Sequence, residues 1–326
     1  MTLAPTTPLT QQSVLVTGGT GAFGRAFVRR ALKDGARRVV VFSRGEAAQA
    51  AMRAEFHDAR IRFALGDVRD ATRISDACRG VDVVIHAAAQ KRVESCEADP
   101  WESIQTNVIG TQHVARACIE RGITQAVLLS TDKAAAPNTI YGTGKLAAER
   151  LWLGANVYAA GTPTRFSATR YGNVLGSTGS VVPIWRAQAA AGRILTVTDE
   201  RCTRFWMHMD DAVDLVLLAL RNMRGGEIFI PRIGASSISQ LAEAIAPGAP
   251  LQHIGLRPGE KLHETLITSD EAATTYRVDN HYVIEPPARP WGELPEPEGR
   301  LMPDNFTYRS DTAPRYTIPQ LREMIA

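Results

Sequence analysis

Cysteine is scarce in this chain and does not cluster. Cys78, Cys96, Cys118 and Cys202 are the full set of four, with no Cys-x-x-Cys pair and no histidine group beside them. That spacing argues against a metal site, and no metal is expected. The expectation instead is a reduced, cytoplasmic protein whose thiols pack as small apolar groups. No apolar run approaches the ~20 residues that a membrane helix needs, so no span is expected. The formal net charge is +3, but no run of clustered Lys and Arg accompanies it, which argues against nucleic acid as a partner. Residues 1–12 contain Thr and Pro but neither a basic start nor an apolar centre; they read as a loose tail, not a signal peptide.

What is present is a globular balance, 44% hydrophobic and 22% charged over 326 residues. Apolar runs at 13–17, 38–43, 61–65, 81–86, 125–130 and 165–170 read as strands. Helical patterns at 25–33, 46–57, 72–79, 100–121 and 141–160 separate or follow them. Strand–helix alternation with short turns predicts an α/β fold, a Rossmann-type doubly wound parallel sheet. Active groups then belong beyond the carboxyl ends of the strands. From about Gly176 the pattern shifts to short strands and helices among Gly- and Pro-rich turns, which fits a smaller C-terminal α/β substrate lobe. The expected organisation is a tail at 1–12 and a dinucleotide-binding domain at 13–175, to which later segments can return. A substrate lobe at 176–285 and a Pro-rich extension with a short helix at 286–326 complete it.

Gly18, Gly21 and Gly24 follow the first strand and open a helix, with Thr20, Ala22 and Phe23 in the same loop. Absent side chains let a pyrophosphate approach the backbone, and a helix N-terminus offers amides and a positive dipole end. The second strand ends at Ser43 and Arg44, with no acid until Glu46. NAD sites usually carry Asp or Glu there for the ribose, whereas a hydroxyl with a guanidinium suits a 2′-phosphate, so NADP is expected over NAD. The alternative is that Arg44 is a solvated loop residue. Asp67 and Val68 follow the third strand, and Ala87, Ala88 and Ala89 follow the fourth, where small residues let a cofactor lie close.

The fifth strand delivers Thr131, Asp132 and Lys133, and then Tyr141 and Lys145. Tyr141 and Lys145 are four apart and share a helix face. Either pair alone is a common accident of a helix or a solvated turn; together, after a nucleotide loop, they mark a proton-transfer site. Lys91 follows the fourth strand and Asn173 the sixth, both within reach of a substrate. Trp185, Phe205 and Trp206 either pack a core or flank a base, and for any one of them the core is expected.

These residues carry a family likeness. Thr17-Gly-Gly-Thr-Gly-Ala-Phe-Gly24, Gly66-Asp-Val-Arg-Asp70, His86-Ala-Ala-Ala89 and Tyr141-x-x-x-Lys145 resemble the extended short-chain dehydrogenase/reductases. Within that superfamily the chain resembles the inverting UDP-N-acetylglucosamine 4,6-dehydratases, the soluble pseudaminic-acid-pathway type. The more specific pieces are Leu129-Ser-Thr-Asp-Lys-Ala-Ala135, Arg170-Tyr-Gly-Asn-Val174, Gly179-Ser-Val-Val-Pro183, Thr203-Arg-Phe-Trp206, Gly225-Gly-Glu-Ile-Phe229 and Arg257-Pro-Gly-Glu-Lys-Leu-His-Glu264. The likeness spans nearly the whole chain. Departures are Gly142-Thr-Gly144 for a commoner Gly-Ala-Thr, Gly45 for an Asp, and Gln90-Lys-Arg92 for Leu-Lys-His.

The resemblance implies a UDP-sugar substrate, a homo-oligomer (dimer or hexamer) and an NADP-dependent dehydration across C5 and C6. Tyr141 would take the C4 hydroxyl proton, with Lys145 lowering its pKa and Thr131 orienting the sugar oxygen. Lys133 would be the base at C5, its pKa depressed by burial and positive neighbours, and Asp132 the acid for the C6 hydroxyl. Arg204 and Arg257 would hold the diphosphate, since guanidinium forks match phosphate oxygens, and Glu260 the ribose hydroxyls. Lys133 stands where retaining relatives carry Glu, which implies inversion at C5 and UDP-2-acetamido-2,6-dideoxy-L-arabino-hexos-4-ulose as product. Three other readings stay open: a nucleotide-sugar 4-epimerase, which needs no Asp-Lys pair; a 5,6-dehydratase that stops at an unsaturated sugar nucleotide; and an NADP-binding regulator, whose catalytic groups would be degraded.

Overall fold

The computed structural model describes residues 7–176, 180–292 and 298–325. Its central sheet contains β1 (Ser13–Thr17), β2 (Arg38–Ser43), β3 (Ile61–Leu65), β4 (Val83–His86), β5 (Gln125–Leu129) and β6 (Arg165–Thr169). They run parallel in the order β3-β2-β1-β4-β5-β6. Alternate residues of each strand enter two different cores. Leu15, Val40, Ala126 and Leu128 join one; Val14, Val16, Val39, Val41 and Val127 join the other. A parallel sheet covered on both faces has to read as a continuous apolar run, which is what made these strands visible in sequence.

Helix α1 (Ala22–Lys33) covers one face together with the helix Met209–Asn222, and α2 (Glu46–Glu55) joins β2 to β3. On the other face lie α3 (Ala71–Ala77), α6 (Gly110–Arg121) and α7 (Ile140–Tyr158), with α4 (Val93–Ala98) and α5 (Pro100–Ile104) leading into α6. Local chemistry sets the boundaries. Asp70 accepts from the Arg73 N–H at 2.9 Å to start α3, and Asp99 caps α5, which has Pro100 in its first turn. Gly122 closes α6 at φ +67.

The continuous helix expected over 100–121 is interrupted. Gln105–Ile109 forms a π turn between α5 and α6. There Asn107 is turned to Gln90, accepting its N–H at 2.8 Å and donating to its carbonyl at 2.9 Å. Gly110 follows because a Cβ at that position would sit 2.7 Å from Val68 Cγ2. The buried residues through this break are Ser103, Thr106, Asn107, Gly110 and Thr111, none of them a large apolar side chain, so apolar periodicity could not show it.

Beyond residue 176, several segments return to the large sheet. Ile228–Pro231 pairs parallel with β6, and His281–Ile284, Thr275–Val278 and Arg300–Leu301 add antiparallel strands, making ten among the described residues. The remainder forms a lobe around Trp185, Leu195, Trp206, Leu241 and Leu321, the last from the helix Ile318–Ile325. Trp185, Phe205 and Trp206 are all buried in cores, as are the four unpaired cysteines. Among the described residues, no helix is long and apolar enough to cross a membrane.

The loose-tail expectation fails for residues 7–12. Leu9 is fully buried in the core beside β1, and the Gln11 N–H donates to the Gly35 carbonyl at 2.9 Å. A lone Leu among Thr and Pro carries no periodic signal. Residues 1–6 of that segment, Gly179 of the Gly-Ser-Val-Val-Pro stretch and 293–297 of the Pro-rich stretch lie outside the described residues.

One buried ionic group ties these parts together. Arg170, fully buried after β6, forks onto Glu149 of α7 at 2.7 and 3.1 Å and onto Glu271 at 2.9 Å, and donates to the Leu266 carbonyl. A buried guanidinium is tolerated only with such complete pairing. Glu271→Ala is therefore expected to lower the free energy of unfolding by about 3 kcal/mol, measured by urea denaturation. A loss below about 1 kcal/mol, the size of a surface ion pair, would contradict this arrangement.

Candidate active site

A cavity of about 550 Å³ opens at the carboxyl ends of β1, β2, β4 and β5. It is lined by Gly18, Thr20, Gly21, Ala22, Phe23 and Gly24 of the glycine loop, by Ser43, Arg44 and Val68, and by Ala87, Ala88, Ala89 and Lys91. Thr131, Lys133, Tyr141, Lys145 and Asn173 complete the sequence-named set on its wall. Phe42, Thr106, Tyr171 and Met209 line it too and were not singled out in sequence. Thr106 owes its place to the π turn.

The glycines have different jobs. Gly18 adopts φ +65, and a Cβ there would lie 2.9 Å from the Ala88 backbone. Gly24 lets α1 cross close over Gly19. Gly21 meets only the Gly18 carbonyl oxygen at 3.2 Å, so its other side is open, and α1 starts there with no side-chain cap. Open backbone with uncapped helix amides fits a dinucleotide's phosphates.

His86 holds the opposing wall in register. The Thr111 hydroxyl donates to the Asn107 carbonyl at 2.6 Å, so it accepts from His86 Nε2–H at 3.0 Å. His86 Nδ1 then accepts from the Thr17 hydroxyl at 2.7 Å, and Thr17 Oγ1 accepts the N–H groups of Ala87 and Ala88. Every group is satisfied by a neutral imidazole, and burial, helped by the charge of Lys145, brings the His86 pKa down to about 3. Ala87 and Ala88 are thereby fixed against Gly18.

At the cavity mouth Arg44 is half exposed, 3.6 Å from Asp67 Oδ2 and 3.8 Å from Glu102 Oε1. Ser43 is buried and accepts from Gln49 Nε2 at 3.1 Å. Asp67, expected beside a cofactor, does not line the cavity: Arg69, two residues on, donates to both its oxygens.

At the other end, Asp132–Ala134 forms a 3₁₀ turn just past β5. The Ser130 N–H donates to the Thr169 carbonyl at 2.7 Å and the Asp132 N–H to the Tyr171 carbonyl at 3.0 Å, prolonging the β5–β6 ladder into the turn. Thr139 Oγ1 accepts the Gly142 N–H at 3.0 Å and starts α7, whose first turns carry Tyr141 and Lys145 on one buried face. A Cβ on Gly142 would lie 2.5 Å from the Lys133 carbonyl oxygen, so the 3₁₀ turn rests directly on α7.

The electrostatics correct two expectations. Lys145 donates to the Leu129 carbonyl at 2.6 Å, and burial brings its pKa down to about 8 against the pull of Glu149. Tyr141 was expected to be lowered by Lys145; instead burial pushes it up to about 12, with Lys133 and Thr131 pulling the other way. Lys133 was expected to be depressed by burial and positive neighbours. Burial does act downward, but the carboxylates of Asp132 and Glu264 outweigh it and hold the lysine above its ordinary value. Lys133 Nζ lies 3.0 Å from Asp132 Oδ1 and 3.6 Å from Glu264 Oε1. The Thr131 hydroxyl also donates to Asp132 Oδ1, at 2.8 Å.

Glu264 arrives from the lobe segment that begins at Arg257. Gly259, at φ +75, sits on Thr139, where a side chain would collide, and Lys261 donates to the Ala135 carbonyl at 2.8 Å. Arg204, Arg257 and Glu260, expected on substrate, do not line the cavity. Arg204 is paired with Glu260 at 2.8 Å, Glu260 also accepts from Thr198, and the exposed Arg257 bonds Glu94 of α4 at 2.9 Å. Opposite charges brought close by the fold satisfy one another, which motif position alone does not reveal.

A glycine loop on a parallel sheet, a Tyr-Lys pair on the helix after the fifth strand and a lobe docked over both define an extended short-chain dehydrogenase/reductase. The profile of a family described as polysaccharide biosynthesis protein matches residues 14–286, and the chain belongs to that family. It is 43% identical over 314 residues, 94% of each chain, to the UDP-N-acetylglucosamine 4,6-dehydratase (inverting) of Campylobacter jejuni strain 81-176. A relative from Rickettsia conorii, 39% identical and matched over 84% of this chain and 82% of its own, is named UDP-glucose 4-epimerase. The X-ray structure of Pen from Bacillus thuringiensis superposes with a TM-score of 0.90 at 34% identity, covering 97% of this chain and 98% of that one. DesIV, a dTDP-glucose 4,6-dehydratase from Streptomyces venezuelae solved with NAD and TYD bound, gives a TM-score of 0.69 at 26% identity over 77% of this chain and 86% of its own.

Two of the three glycines of α7 provide a check. A Cβ on Gly144 meets nothing nearer than 3.9 Å, so Gly144→Ala is expected to stabilise the fold by up to about 1 kcal/mol through helix propensity. Gly142→Ala should destabilise it and displace the Lys133 turn. Thermal unfolding of both variants tests this, and equal shifts would contradict the packing of the turn on α7.

Proposed function

We propose that this chain is an NADP-dependent, inverting UDP-N-acetylglucosamine 4,6-dehydratase. The carrying observation is the hydrogen-bonded Asp132–Lys133 pair beside the cavity that Tyr141 and Lys145 line. The family and the 43% identical relative of that name support it.

The glycine loop and the α1 N-terminus would hold the dinucleotide phosphates, and Ser43 and Arg44 a 2′-phosphate. When bound, the nicotinamide would supply the acceptor for the C4 hydride and the donor of the same hydride to C6, so the overall loss of water is redox-neutral, and its oxidised ring would carry a positive charge. In the cavity that charge favours the Tyr141 phenolate, offsetting the upward push of burial. Tyr141 accepts the C4 hydroxyl proton, and Thr131, on the same wall, orients the sugar. With a carbonyl at C4 the C5 proton becomes acidic. Lys133 takes it, and Asp132 protonates the departing C6 hydroxyl, which leaves as water.

That division of labour needs a neutral amine and a protonated carboxyl, whereas the structure favours an ion pair. Moving one proton along the 3.0 Å Lys133–Asp132 contact supplies both at once, with no change in net charge. Protonation of C5 from the opposite face, with a solvent-derived proton, gives the inverted product, UDP-2-acetamido-2,6-dideoxy-L-arabino-hexos-4-ulose. The 4-epimerase reading has support in the 39% identical relative of that name. It gives Asp132 and Lys133 nothing to do, and the pair supports dehydration over it.

Incubation with UDP-N-acetylglucosamine and NADP in deuterated water is expected to give a 6-methyl 4-keto sugar with deuterium at an inverted C5, read by NMR. Lys133→Ala should bind NADP normally and make none of it. UDP-N-acetylgalactosamine as the product would establish the epimerase instead. For the cofactor, calorimetry should show tighter binding of NADP than of NAD. Arg44→Ala should weaken NADP binding on the order of tenfold while sparing NAD, as loss of a charged hydrogen bond predicts. Equal losses for both would place Arg44 away from the 2′-phosphate.

A further inference from the structure

Glu264 has no part in the chemistry above, yet it is built into the site. Its side chain is 4% exposed. Oε1 lies 3.6 Å from Lys133 Nζ and 3.7 Å from Arg204 Nε, and Oε2 has no hydrogen-bond partner among the described residues. Its backbone is pinned on both sides: its N–H donates to Ser310 Oγ and its carbonyl accepts the Ser310 N–H, both at 2.9 Å. Ser310 Oγ in turn donates to the Thr203 carbonyl at 3.0 Å. Ser310 fixes the backbone that carries this buried carboxylate, so it is not a surface side chain that happens to be near.

We propose that Glu264 is a positioning residue for Lys133: carried in by the substrate lobe, its carboxylate anchors the Lys133 ammonium and governs when that lysine releases its proton. The inference rests on the assignment of Lys133 as the C5 base. The charged and titratable groups facing the pair are few. Asp132 lies on the other side of Lys133. Arg204 shares Glu264 Oε1 but has Glu260 as its nearer partner. Lys261 is held on the Ala135 carbonyl, and Tyr141 comes from α7. Lys133 thus has two anions close by, and Glu264 is the one contributed by the lobe.

The sign follows. Removing the Glu264 charge takes away an influence that favours the ammonium, so Lys133 loses its proton at lower pH. The pair acts in the singly protonated state, one proton shared between Lys133 and Asp132, so the acid limb, where the pair takes up a second proton, moves to lower pH with it. The full-length enzyme with NADP is assayed for deuterium incorporation at C5 of product across pH. Glu264→Gln is expected to shift the acid limb of kcat down by about one pH unit, the usual size of one opposite charge at this range, and Glu264→Asp to leave it in place. A folded Glu264→Gln enzyme with an unmoved limb overturns the proposal; Glu264→Met, of similar length, serves if the Gln variant does not fold.

A second readout does not depend on turnover. Acylation of Lys133 by an amine-selective reagent, located by mass spectrometry, should at a fixed pH be about tenfold faster in Glu264→Gln, matching the same one-unit shift. An unchanged rate overturns the Glu264–Lys133 coupling. Absence of C5 deuterium in the wild type, with the acylation difference intact, would instead overturn the dehydratase reading alone.

Discussion

A half-buried ammonium between two buried carboxylates is the interaction on which the two halves of this molecule depend. Asp132 belongs to the turn after β5, and Glu264 to the lobe. Each is nearly inaccessible to water, and two such carboxylates without a cation between them would leave like charges buried and unpaired. Lys133 supplies the cation. The lobe therefore cannot settle on the sheet without completing the charge balance of the cavity wall. Gly259 on Thr139 and Lys261 on the Ala135 carbonyl then fix the approach to that geometry.

The scaffold beneath it is rigid for independent reasons. β5 is sandwiched between two apolar cores, and its end is prolonged by hydrogen bonds to Thr169 and Tyr171. The Arg170 cluster locks α7 to β6 from behind. Functional groups carried on such elements hold their spacing better than groups on free loops. Within this frame the two lysines are driven apart. Lys145 is buried against a carbonyl and falls to about 8, whereas Lys133, between carboxylates, rises. Paired titratable groups separated in this way can take separate tasks in one reaction.

How much of this was legible beforehand follows from what a sequence records. Strands buried on both faces, the glycine spacing and the Tyr141–Lys145 register are local patterns, and each lies where its pattern indicates. Partners distant in the chain leave no such trace. Asp67 follows a strand as a cofactor ligand would, but Arg69 claims both its oxygens. Arg204, Glu260 and Arg257 sit in the motifs that resemble substrate sites, and the fold pairs them with one another or with Glu94. The sign of the Lys133 shift was misjudged for the same reason, because Glu264 lies 131 positions further on (264 − 133). The π turn that sets Thr106 on the cavity wall buries Thr106 and Asn107, polar residues that hydrophobic spacing does not register.

The resting charges and the proposed chemistry are reconciled by what substrate does to water. Lys133 keeps 29% of its side chain exposed, and that contact with solvent helps to sustain an ammonium. A sugar filling the cavity removes it. In a drier site an ion pair costs more than the neutral amine and carboxylic acid formed by moving its one shared proton, so binding favours the reactive arrangement. In the proposed function Glu264 opposes that transfer by holding the ammonium, which keeps the base protonated in a solvated site. An epimerase has no use for such an arrangement, since it moves no proton at C5. A dehydratase needs the C5 base to act after C4 has become a carbonyl, and a lysine held protonated while the site is solvated meets that requirement.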